Sequence, residues 1–209
     1  MMKKSILPAF LFLFAVIATA VPGAARADGD KEQAAVELIK NLGNEAVKTL
    51  ADTSLNEKQK AQKFEELLDK GFDMRLVGQF VLGRYWREAS DSQKTEFQKV
   101  FRDYMVSSYS DKIGSYSGED LKIKEAKSLN DRESLVYALI ERPNGPPIKL
   151  DWRVRKTKSG EEKVIDVIVE GISMAQTQRS EFASVIGQPG VGIDGLIKKL
   201  KEQTMKGEG

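Results

Sequence analysis

Apolar residues change their spacing twice along the chain. Between residues 30 and 113 they recur every three to four positions, the signature of amphipathic helices. Between residues 121 and 169 they alternate with polar residues, which suits half-buried strands. Beyond residue 174 the helical spacing returns. Val36, Ile39, Ala46, Val47 and Leu50 predict a first helix over 30–50, and Ala61, Phe64, Leu67 and Leu68 a second. Ser54 and Glu57 match a capping box for that second helix, and Gly71 stands where a left-handed C-terminal cap is expected. Leu76, Val77, Phe80 and Val81 predict a short helix that Gly83 ends. Ser90 and Gln93 form another capping box before the clearest helix, which carries Phe97, Val100, Phe101, Tyr104 and Met105.

The strand region begins with a weak, lysine-rich edge strand over 121–127. Residues 134–141 follow, apolar on both faces. Ile148, Leu150, Trp152 and Val154 then alternate with Lys149, Asp151, Arg153 and Arg155. A fourth strand carries Ile165, Val167 and Val169, and Gly171 reads as a bulge that passes the apolar series to Ile172 and Met174. Turns at Asn144-Gly145-Pro146-Pro147 and Ser159-Gly160 make neighbouring strands antiparallel. Phe182, Val185 and Ile186, then Ile193, Leu196, Ile197 and Leu200, predict two closing helices. The fold class is therefore α+β: N-terminal helices, a four-stranded antiparallel meander, and C-terminal helices packed back on the sheet.

The first residues read differently. Lys3 and Lys4 precede an apolar run that ends at Pro22, and Ala25-Arg26-Ala27 fits a small-x-small cleavage site. Residues 1–27 are expected to be a cleaved signal peptide and 28–209 a single domain. The apolar run is shorter than the ~20 residues a membrane span needs. Removal of the leader takes away Lys3, Lys4 and Arg26 and no acid, so the full chain's 33 bases and 31 acids become 30 and 31. The apparent basicity belongs to the leader, and net charge makes no case for nucleic acid. Once cleaved, the exported chain is expected to diffuse freely in its compartment.

Chemistry is sparse. The chain has no histidine and no cysteine, which removes the usual acid–base group, the thiol nucleophile and the usual zinc site. It has no phosphate-binding glycine loop and no nucleophile elbow. Asp166 and Glu170 share a strand face but lie roughly 13 Å apart at strand rise. Asp73 and Glu88 have no identifiable partner. What remains is apolar surface, and periodicity alone does not separate a solid core from a cavity.

Three blocks carry a family resemblance. The first is Phe72-Asp73-Met74 with Val81-Leu82-Gly83-Arg84-Tyr85-Trp86-Arg87, Ala89-Ser90, Phe97 and Phe101. The second is Asn144-Gly145-Pro146-Pro147 with Leu150-Asp151-Trp152. The third is Asp166-Val167, Val169-Glu170-Gly171-Ile172-Ser173-Met174, Thr177-Gln178-Arg179-Ser180-Glu181-Phe182 and Gly192-Ile193-Asp194-Gly195-Leu196. In this order they resemble the MlaC, or toluene-tolerance auxiliary, family.

The resemblance implies a soluble periplasmic phospholipid carrier that shuttles lipid between an outer-membrane lipoprotein complex and an inner-membrane ABC transporter complex. It implies acyl chains held between a curved sheet and helices, no cofactor, no metal and no catalysis. The chain is expected to act as a monomer. A branch of the family is associated with hopanoid biosynthesis, so a hopanoid or other lipid cargo stays open. A non-catalytic periplasmic interaction module and an enzyme on the same fold are the other readings. If a cavity is present, the inward positions where helix and sheet should meet are Val77, Phe80, Val81, Phe101, Tyr104, Leu139, Trp152, Val167, Val169 and Phe182. Arg84 and Arg87 are candidates for the mouth, near a phosphate.

Overall fold

The computed structural model describes residues 23–113 and 118–207, with side chains over 29–108 and 118–205. Most of the expected leader, and the side chains of Tyr109 and Tyr116, lie outside the described residues. No helix among the described residues is long and apolar enough to cross a membrane.

Helices α1 (Gly23–Ala51) and α2 (Glu57–Gly71) come first. The cap of α2 is not Ser54, whose backbone N–H and hydroxyl both donate to Asp52 Oδ1. Asn56 takes the role: its side chain accepts from Gln59 N–H while Gln59 accepts from Asn56 N–H. Gly71 also differs from expectation. It is the last helical residue rather than a left-handed cap, and Phe72 beyond it is extended. The glycine is there for space, because a Cβ would lie 2.6 Å from Leu42 Cδ1.

Helix α3 (Met74–Leu82) is capped by Asp73, which accepts from Leu76 N–H, and ends at Gly83 with φ +60°. A short α4 (Tyr85–Glu88) leads to α5 (Asp91–Ile113), where the Ser90–Gln93 capping box forms in both directions. Arg102 fastens α5 to α2 through Glu65 at 2.7 Å and Asp69 at 2.9 Å. Its guanidinium holds the Asp69 carboxyl below the ordinary carboxylate range. The tie is complete at neutral pH and is lost as pH falls through that lowered pKa.

The sheet has five strands, not four, in sequential antiparallel order: β1 (Asp120–Asn130), β2 (Glu133–Glu141), β3 (Ile148–Lys156), β4 (Glu162–Val169) and β5 (Ile172–Ser173). The fifth comes from Gly171. Glu170 at φ +50° and Gly171 at φ +83° make a two-residue turn that reverses the chain, so Ile172 pairs back with Val169. A register shift does occur in β4, between Asp166 and Val164 opposite Arg153 and Val154. Ile165 is the extra residue, so Val164 and Val167 both join the core packed under the helices.

Helices α6 (Met174–Ile186) and α7 (Gly192–Gly207) close the chain. Two apolar cores result. One joins α1 and α2 to the sheet through Ala35, Ile39, Leu42, Leu67, Val136, Val154 and Val164. The other joins the remaining helices and centres on Phe97, Phe101 and Phe182. Phe97 and Phe101 stack at 5.6 Å, and Phe182 stands edge-on to each at 6.0 Å. Removing the Phe182 ring should therefore detach α6 from α5. Phe182→Ala is expected to cost about 3–5 kcal/mol, read as a lowered denaturant midpoint with an unchanged slope.

Candidate functional site

The two cores do not merge. Between them lies a pocket of about 960 Å³ that takes wall residues from both. Its size is at the upper end of ligand pockets, roughly 300–1,000 Å³. The C-terminal half of α1 supplies Leu42, Ala46, Val47 and Leu50, and α2 adds Phe64, Leu67 and Leu68. Phe72, with Met74, Val77 and Val81 of α3, forms a second wall, and Phe101, Tyr104 and Met105 of α5 a third. The sheet contributes Leu121, Ile140, Leu150, Trp152, Val167 and Val169.

Local structure explains why these side chains converge. The register sets Val136 opposite Trp152 and Trp152 opposite Val167, so the three share one sheet face. Phe72 forms an isolated parallel bridge to Val164, and Asp73 N–H donates to Val164 O at 3.0 Å, which anchors α3 to β4. Phe72 meets Trp152 edge-on at 6.4 Å. Trp152 Nε1 is buried with no hydrogen-bond partner among the described residues. The ring therefore serves the wall as apolar surface.

Asp166 holds the far side. Its Oδ2 accepts from the Ser173 hydroxyl at 2.6 Å and its Oδ1 from Ala175 N–H at 3.0 Å. This carboxylate fixes the start of α6 against β4. Glu170 Oε1 accepts from Lys149 N–H at 2.7 Å and closes the end of the β4–β5 turn. Asp166 thus accepts on both oxygens and Glu170 on one, from backbone or hydroxyl donors. Among the described residues no cluster of acids could hold a metal ion.

Seven of the ten residues expected at the helix–sheet junction line the pocket: Val77, Val81, Phe101, Tyr104, Trp152, Val167 and Val169. Three do not. Phe80 is on the outer side of α3, 41% exposed, with the Arg179 guanidinium 5.1 Å from its ring centre. Phe182 is buried inside the helical core. Leu139 pairs with Lys149 and so faces away, while Val136, Ala138 and Ile140 turn inward. That parity was available in principle. Continuing the polar series of β3 across the turn to β2 puts Leu139 on the lysine side.

Arg84 and Arg87 do not line the pocket. Arg84 donates to the Tyr85 hydroxyl at 2.7 Å and stacks on that ring, and Arg87 is exposed on α4. The residues that sequence reasoning missed are mostly on α1 and α2. Their apolar stripe was visible, but which part faces the sheet core and which the pocket depends on where each helix crosses the sheet.

The protein-family model described as MlaC protein matches residues 40–202. The intermembrane phospholipid transport system binding protein MlaC of Haemophilus influenzae is 31% identical over 133 residues, covering 62% of this chain and 61% of that protein. The toluene tolerance protein ttg2D of Pseudomonas putida is 25% identical over 114 residues, covering 54% of this chain and 53% of its own length. These matches therefore span less than two thirds of either relative. A solved phospholipid-binding protein from Ralstonia solanacearum, in complex with a phospholipid, superposes with a TM-score of 0.72 at 25% identity, covering 84% of this chain and 99% of that one.

Filling the pocket from the sheet side separates its lining from its scaffold. Val167→Trp is expected to reduce uptake of a fluorescent fatty-acid probe at least about tenfold, because the larger ring occupies the space between β4 and the helices. Leu139→Trp, on the opposite face, is expected to bind the probe like the unmodified protein. Equal binding by a folded Val167→Trp protein would remove Val167 from the wall.

Proposed function

The chain belongs to the MlaC family, and from that premise we propose that it is a periplasmic phospholipid carrier that holds acyl chains in the pocket between its two cores. The leader over residues 1–27 would export it. It would collect or deliver lipid at an outer-membrane lipoprotein complex and at an inner-membrane ABC transporter complex, working as a monomer with no cofactor.

One observation carries this reading: a pocket of about 960 Å³ whose wall is mainly apolar, drawn from α1, α2, α3, α5, α6 and the sheet. A two-chain lipid exposes about 30 CH₂ groups, and each costs about 0.8 kcal/mol in water, more than 20 kcal/mol together. Surface contact shields one side of a chain, whereas a walled pocket shields most of it. The phosphate end needs no such enclosure and gains from staying hydrated. Exchange with a membrane then trades one apolar environment for another. That requires no bond to be made or broken, which suits a wall without a nucleophile–base pair. The phospholipid in the Ralstonia solanacearum relative supports the same cargo class.

Organic extraction of protein purified without detergent, followed by mass spectrometry, tests the proposal. Phospholipid at close to one molecule per chain is the expected result. A polycyclic lipid in its place would redirect the cargo assignment. Protein that neither retains lipid nor takes it up from vesicles would overturn the carrier reading.

A further inference from the structure

The polar part of the pocket wall has one sign of charge. Glu119, Asp120, Asp166, Glu170 and Glu181 line it, and among the described residues no lysine or arginine does. The lining residues that are also solvent-exposed mark where the pocket opens: Asp120, Glu170, Ile172, Thr177 and Glu181. The strand register puts Asp120, Glu170 and Ile172 at one end of the sheet, and Thr177 and Glu181 follow on α6. Asp120 starts β1 opposite Glu141, Ile140 pairs with Ile148, and Leu150 pairs with Val169 just before Glu170.

The cations near this end do not offset all of these acids. Lys122 pairs with Asp120 at 2.7 Å. Arg142 donates to Pro146 O, and Lys149 meets Glu170 only through its backbone N–H. Glu170 and Glu181 accept from neutral donors, Lys149 N–H and Gln178 Nε2, and have no cationic partner among the described residues. Two uncompensated carboxylates thus flank the opening.

We propose that this rim selects among phospholipids by headgroup charge, favouring a zwitterionic headgroup that carries an ammonium and disfavouring a net anionic one. The inference rests on the carrier reading above. With the chains in the apolar wall, the headgroup sits at the opening beside Glu170 and Glu181. A phosphate alone adds a third negative charge there. An ammonium beyond the phosphate cancels that charge and is attracted to the carboxylates. Both groups are partly exposed, so solvent screens the effect to about three- to tenfold.

The test loads purified protein from vesicles of equimolar phosphatidylethanolamine and phosphatidylglycerol with matched acyl chains, at physiological salt. The protein is re-isolated and the ratio of extracted lipids is measured. The expected ratio favours phosphatidylethanolamine about three- to tenfold over the vesicles. Glu170→Gln with Glu181→Gln, which keeps the accepting oxygens, is expected to bring the ratio back toward that of the vesicles. Glu181→Lys alone, on the exposed face of α6, is expected to move it the same way. A ratio equal to the vesicles in the unmodified protein, or one that survives the charge changes, overturns this inference alone. Absence of lipid from every sample overturns the carrier reading and this inference with it.

Discussion

Polar links tie together the elements that wall the pocket. The α1–α2–sheet core and the helical core around Phe182 contribute to that wall from separate sets of residues. Three links join elements of one core to elements of the other. Arg102 bridges α5 to Glu65 and Asp69 of α2. Asp73 N–H and the Phe72 bridge fix the start of α3 to Val164 of β4. Asp166 of β4 holds Ser173 and Ala175 at the start of α6. Each link joins an element of one core to an element of the other, and all of these elements line the pocket.

Asp166 illustrates how such a link uses charge. Both its oxygens are engaged by donors that the reversal at Glu170 and Gly171 brings within reach. With one bond accepted on each oxygen, this carboxylate positions the start of α6 against β4. The pocket wall around it is mainly hydrocarbon.

Much of the fold was legible because periodicity is local. The change from helical to alternating spacing located the sheet, the Ser90–Gln93 box located the start of α5, and the alternation from Ile148 to Arg155 fell within β3. The errors were local rules displaced by a stronger local or tertiary contact. Asn56 out-competed Ser54 as a cap because Asp52 had already engaged the serine. Gly71 served the close approach of Leu42 rather than a left-handed turn. Gly171 made a reversal rather than a bulge, since Glu170 joined it at positive φ.

The candidate site was legible in part for a different reason. Inward-facing positions follow from parity and helical stripe, so most residues expected at the helix–sheet junction do face the pocket. Whether an inward residue meets another side chain or open space is a property of two surfaces, and no single segment encodes it. Phe182 and Val167 are equally apolar in sequence, yet one is locked among aromatic rings and the other borders the pocket. The sequence by itself determined most of the elements, their order and the family, because those depend on residues near one another along the chain. Only the tertiary structure decided where the cores part, since that gap depends on contacts such as Arg102–Asp69 and Asp166–Ala175 between residues distant in the chain or turned back on it.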